Sequence, residues 1–171
     1  MKKLIKISFL FVAFAFMTTA LQAQKFGYVF SMQILAEFPE TKQADANLET
    51  LQKQLQKQFE GMYADAQRKA QQFQADFESG KLSPLQQEEA QTTMQAEEKK
   101  IVEFQKEIQD KISTKRDELY GPILEKVDTA IKAVAKEDGL TMVFNADTQV
   151  LLYADESTNI TDKVKAKLGM L

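Results

Sequence analysis

The side chains in this 171-residue sequence that could do chemistry are of few kinds. There are 25 Asp and Glu, 22 Lys and Arg, four Tyr, and neither His nor Cys. Without imidazole or thiol, the commonest zinc and haem ligands and the Cys/His nucleophiles are gone. Carboxylates alone can still hydrolyse a bond, but that work needs acids paired in a pocket. Here the acids are spread through runs such as "QLQKQFEGMYADAQRKAQQFQADFE", which pair nothing. No G-x-x-x-x-G-K-[ST] phosphate loop occurs. The expectation is therefore a non-enzyme with no metal and no cofactor. What remains beside the charges is seven Met, twelve Phe and abundant Gln.

Those side chains must be positioned outside the cytoplasm. The chain opens with Lys2, Lys3 and Lys6, then an apolar run from Ile7 to Met17, then small residues at Ala20 and Ala23. This is the layout of a secretory signal peptide, and its apolar run is too short to span a bilayer. Cleavage is expected after Ala23, with Ala20 as the alternative, so residues 1–23 are set aside. No Cys follows the run to carry a lipid, and an exported chain without Cys has no disulfide. The remainder carries 19 basic and 25 acidic residues, a net charge of −6, which gives it no electrostatic claim on nucleic acid.

Two long helices come next. From Pro39 to Gly80 the apolar residues fall in an eleven-residue repeat: Leu48, Phe59, Ala70; Leu51, Met62, Phe73; Leu55, Ala66, Phe77. Eleven residues over three turns keep the stripe almost straight along a helix. Gly80 can end that helix, and Ser83, Pro84 and Gln86 form a capping box that starts another. In the second helix Ala90, Ile101, Ile112 and Ile123 are again eleven apart, with Phe104, Ile108 and Leu119 between them. Glu97 and Lys115 stand where apolar residues would complete the stripe, and are read as snorkelling at its edge. The pair predicts an antiparallel hairpin arm, and Gly121–Pro122 predicts a kink. Most of the arm's apolar residues belong to its seam. Met62, Phe73, Phe77 and Phe104 sit in or beside that seam, whereas Tyr63 and Met94 lie just off the lattice.

Three β-like runs lie outside the arm: "FGYVF" (Phe26–Phe30), "LTMVFN" (Leu140–Asn145) and "QVLLYA" (Gln149–Ala154), the last two joined by a hairpin-like turn. They are apolar on both faces. The end of the second helix and a terminal helix capped by Thr161 can cover one face, and nothing is left for the other. Met32, Leu35 and Phe38 are expected to pack a short helical turn against this body. A small sheet with a naked apolar face predicts a homo-oligomer joined through Phe26, Tyr28, Phe30, Val143, Leu151, Leu152 and Tyr153. The fold class is α+β, mostly α: a long helical hairpin arm (39–120) on a small β body (24–38 and 121–171) that closes by oligomerisation.

The order of parts, with "KFGYVFSMQILAEFPE", "PILEKVDTAIKAVAKEDGLTMVFNA", "VLLYAD" and "NITDKVKAKL", resembles the Skp/OmpH family of periplasmic chaperones over the whole chain after the leader. The resemblance implies a homotrimer whose strands share one β-barrel and whose arms enclose a cavity. It implies a periplasmic holdase that keeps unfolded outer-membrane β-barrel proteins from aggregating and delivers them to the outer membrane without ATP, with transient membrane contact. The client contacts it implies would fall on Tyr63, Met94, Met62, Phe73, Phe77 and Phe104, of which most double as seam and Tyr63 and Met94 lead. One departure stands out. Familiar members have cationic arms, whereas residues 42–118 here hold 12 Lys/Arg against 15 Asp/Glu. The rival reading is a structural adaptor coiled coil without chaperone activity.

Overall fold

The computed structural model describes residues 24–148 and 150–170, so the expected leader and its cleavage site lie outside the described residues. In chain order the elements are β1 (Phe26–Val29), α1 (Ser31–Glu37), α2 (Pro39–Glu78), α3 (Pro84–Glu137), β2 (Met142–Asn145), a 3-10 turn (Glu156–Thr158) and α4 (Thr161–Lys167). They divide into two compact units, one of Leu35–Asp128 and one that ends at Ile34 and resumes at Thr129.

The first unit is the helical hairpin. α2 has 40 residues, a rod of about 60 Å at about 1.5 Å per residue. It stops in a left-handed turn: Gly80 has φ 67°, and the amides of Gly80 and Lys81 donate to the carbonyls of Phe77 and Asp76. That is the paired bonding of a glycine-terminated helix. Ser83 and Gln86 then cap α3 reciprocally, Ser83 N–H to Gln86 Oε1 at 2.9 Å and Gln86 N–H to Ser83 Oγ at 3.4 Å. Three links show the antiparallel register: Lys69–Glu97 at 3.0 Å, Tyr120–Asp45 at 2.5 Å and Lys126–Glu40 at 2.6 Å. Each pair is centred on residue 82 or 83, in the turn. The carboxylate of Asp45 holds the Tyr120 hydroxyl's pKa above the ordinary phenol value.

Burial within the hairpin is uneven. Ala44, Leu48 and Leu55 of α2 are buried, as are Phe104, Ile123 and Val127 of α3. From Phe59 to Ile101 the seam residues are only half-buried or exposed. Two helices alone can cover each other's stripe on one side only. α3 continues through Pro122, where the kink is expected, to Glu137. Gly121 and Pro122 are both exposed, so water can take the backbone bond that the proline cannot make.

Thr41, in the first turn of α2, is buried at 6% exposure. Its hydroxyl oxygen has no hydrogen-bond partner among the described residues. Thr41→Val keeps the shape and removes the stranded group. It is expected to stabilise the protein by about 1 kcal/mol, read as a rise of a few degrees in Tm.

The second unit is the β body. β1 and β2 pair in parallel, with Phe26 opposite Met142 and Tyr28 opposite Phe144. Parallel strands need a long crossover, and here the whole helical hairpin lies between them in sequence. Beyond β1's other edge, Tyr28 forms an isolated bridge with Asn159, and Ile160 N–H donates to Tyr28 O at 2.9 Å. Val29, Ile34, Ala130, Val134, Ile160 and Val164 are its buried apolar side chains. Gly27 is required by close packing: a Cβ there would meet Leu140 Cδ1 at 2.7 Å and the Thr158 carbonyl oxygen at 3.3 Å.

Three expectations for this unit are corrected. "QVLLYA" forms no strand: Val150 lies in a turn, residues 151–155 have no regular structure, and Gln149 lies outside the described residues. No hairpin with β2 results, because the chain continues away from β2 into the 3-10 turn and returns beside β1. Thr161 does not cap α4. Its hydroxyl accepts from Phe30 N–H at 3.1 Å, while Asn159 Oδ1 accepts from Thr161 N–H at 3.0 Å. In α1, Met32 is exposed and Ile34 is fully buried. The helix is anchored at its start by Asp147, whose Oδ2 accepts from Ser31 Oγ and Met32 N–H, both at 2.7 Å.

Candidate functional site

Two surfaces carry the side chains suited to contact. The first lies within the hairpin. Tyr63, Ala66 and Ala70 of α2 face Met94, Glu97 and Ile101 of α3 around a hollow of about 190 Å³. Its origin is sequence volume. The stripe passes through two alanines at 66 and 70, and at 97 the opposite helix offers a carboxylate instead of a large apolar group. The side chains leave space that neither helix fills.

The hollow joins the two residues singled out by their spacing. Tyr63 is 55% exposed, and Met94 is half-buried. Of the other candidates, Met62 and Phe73 are half-buried. Phe77 is exposed and its ring lies 6.2 Å from that of Phe73. Phe104 is buried at 7% exposure, so its ring is seam. Lys111 Nζ stands 6.0 Å from that ring's centre. Sequence reasoning missed the floor: Ala66 and Ala70 were counted as apolar without weighing their small volume.

Glu97 belongs to the seam. Its side chain is 23% exposed, and it accepts from Lys69 across the hairpin at 3.0 Å and from Lys100 at 3.4 Å. Lys115 pairs on its own helix with Glu118 at 3.0 Å and stays at the edge. The hydrogen bonds from Lys69 and then Lys100 hold the Glu97 carboxyl below the ordinary carboxylate pKa. A depressed pKa means that the ion pair's contribution is present above the unfolded carboxylate's value and is lost as pH falls through the folded value. Glu97 is therefore expected to titrate on the acid side of an ordinary glutamate, as is Glu49, in a side-chain carboxyl NMR titration. Lys69→Ala should move it back toward the ordinary value.

The second surface lies in the β body. Phe26, Tyr28, Met142 and Phe144 share one face of the strand pair. Phe26, Met142 and Phe144 are exposed by 43%, 57% and 44%. The Phe26 and Phe144 rings meet edge-on at 6.2 Å, and Tyr28 and Phe30 at 5.7 Å. Tyr28 is buried, and Phe30, Val143 and Leu151 are half-buried. Leu152 and Tyr153 are 95% and 86% exposed. β2 has no strand on its outer edge among the described residues. Also among them, no helix is long and apolar enough to cross a membrane.

The sequence model of a protein family described as "Outer membrane protein (OmpH-like)" matches residues 25–168. Among solved structures, the crystal structure of a Caulobacter crescentus CB15 protein, described as an OmpH-like outer membrane chaperone, aligns with a TM-score of 0.74. The two chains are 17% identical, over 88% of this chain and 87% of that one, which shows a common fold. No curated protein matches the chain.

Proposed function

This chain belongs to the OmpH-like outer membrane protein family, and from that footing we propose that it is an ATP-independent periplasmic holdase. It encloses unfolded outer-membrane β-barrel proteins between helical arms, prevents their aggregation and delivers them to the outer membrane. The match over residues 25–168 carries the reading. In this reading residues 39–120 act as the arm, and 24–38 with 121–171 as the body. The body assembles with two further copies into a homotrimer through a shared β-barrel. Support for assembly comes from the uncovered face at Phe26, Met142 and Phe144 and from the naked Leu152 and Tyr153. A free strand edge beside exposed apolar residues is a template for pairing with another chain.

The physical mechanism is retention by many weak contacts. An unfolded barrel strand presents an apolar face and an unpaired edge, and aggregates through both. Tyr63, Met62, Met94, Phe73 and Phe77 offer apolar surface along the arm, each contact small enough for release without fuel, and Phe104 supports the seam beneath them. With 12 cations against 15 anions between residues 42 and 118, the arm does not attract acidic clients over distance. Capture should therefore change little with added salt.

The test is light scattering of a urea-unfolded outer-membrane β-barrel protein, diluted into increasing amounts of this protein without nucleotide. The expected result is suppression that saturates near one oligomer per client and persists at high salt. Scattering unchanged at excess protein, across several clients, would leave the adaptor reading instead.

A further inference from the structure

We propose that the hollow in the hairpin is a discrete subsite for one aromatic side chain of an unfolded polypeptide, preferentially one flanked by lysine or arginine. The inference deepens the holdase reading and rests on it. Size is the first argument. A space of about 190 Å³ is close to the dry cavity of about 150 Å³ known to accept benzene. It is well under the roughly 300–1,000 Å³ of pockets that hold drug-sized ligands. One ring fits; a cofactor or a folded element does not.

The lining chemistry is the second argument. Ala66, Ala70, Met94 and Ile101 make most of the lining surface apolar, with Gln67 and Thr93 beside them. Tyr63, 55% exposed, offers a ring free to take an edge-on contact at the lip. Met94 adds a thioether, which favours aromatic neighbours and adapts to their position. Nearer the body the seam closes, with Leu48, Leu55, Ile123 and Val127 buried.

Charge sets the preference for flanking residues. Lys69 and Lys100 are both engaged by Glu97. Of the charged side chains that line the hollow itself, Lys69 stands against Glu97 and the exposed Glu98, one cation against two anions, with Lys100 outside the lining. A cation beside the incoming ring is attracted there and an acid repelled, which selects among segments more than it adds affinity. The subsite would thus grip aromatic positions in basic stretches. The acidic arm then discriminates locally rather than steering from a distance.

The experiment uses the full exported protein with ¹³C-methyl methionine, following the Met94 methyl signal by NMR. The probes are N-acetyl-phenylalaninamide, N-acetyl-leucinamide, and the tripeptides Lys-Phe-Lys and Glu-Phe-Glu. The phenylalanine probe should shift Met94 in a saturable way with millimolar affinity. The leucine probe should bind at least fivefold more weakly, and Lys-Phe-Lys should bind at least threefold more tightly than Glu-Phe-Glu. Ala70→Leu fills the hollow and should abolish the shift while helicity is retained. Tyr63→Ala, at an exposed position, should weaken it severalfold and decides the matter if Ala70→Leu misfolds. An unmoved Met94 signal, or leucine binding as well as phenylalanine, would overturn the proposal. Light scattering keeps the two readings apart: suppression without a Met94 shift removes the subsite alone. A Met94 shift without suppression removes the holdase and leaves a ring-binding hollow.

Discussion

Aspartate at both Leu152 and Tyr153 is expected to convert the proposed oligomer into monomers without unfolding its helices. These side chains are 95% and 86% exposed within one chain, so they contribute almost nothing to its own packing. A charge placed there costs the isolated fold little. In an interface the same carboxylates would have to leave water without partners, at several kcal/mol each. Since about 1.4 kcal/mol is a factor of ten, assembly should weaken by on the order of a thousandfold or more. Sedimentation at micromolar concentration reads the mass, and far-ultraviolet circular dichroism reads the helices. A mass unchanged by the double substitution would remove residues 152 and 153 from the interface.

Ile34→Ala should produce the largest loss of stability in the β body. Ile34 and Val164 are its fully buried large side chains. Truncating isoleucine at such a position costs about 2–5 kcal/mol, the range reflecting how far the surroundings can collapse. Native-state hydrogen exchange should show β1 and β2 amides losing protection, while amides in the distal hairpin around Met94 keep theirs. Met32→Ala is the control two residues away, at 64% exposure, and should be near neutral. Equal effects of the two substitutions would mean that α1 packs through a different face.

The hairpin was legible in the sequence because its rules are local. Gly80, Ser83, Pro84 and Gln86 announce one helix's end and the next one's start within seven residues, and the bonds they predict are the bonds observed. The β body was only partly legible. Gln149–Ala154 reads as a strand by composition, but after β2 the chain passes to the far side of β1 and leaves β2's outer edge without a strand among the described residues. Within one chain, β1 takes β2 on one side and Asn159 on the other. Thr161 looked like a cap by its position, yet its hydroxyl serves a backbone amide 131 residues away, which no local pattern encodes. Pro122 is where a kink is expected; the helix runs on through it to Glu137, the lost bond being small beside the packing of Ile123 and Val127. The hollow was half legible. Spacing picked out Tyr63 and Met94, whereas the space between them depends on the volumes of Ala66 and Ala70 opposite Glu97.

For a chain exported and assembled as proposed, the parallel pairing of β1 with β2 has a consequence for the order of events. Phe26 meets Met142, so the first strand waits for a partner that emerges 116 residues later. Contacts of such sequence separation form late, after the loop between them has been closed. The hairpin, by contrast, joins neighbours across a tight turn and can form as soon as its second helix is free. A chain threaded leading end first through a narrow channel therefore cannot finish its body prematurely. The leading strand stays extended until the last quarter of the sequence has crossed, and the apolar face that invites a second copy appears only on a completed subunit.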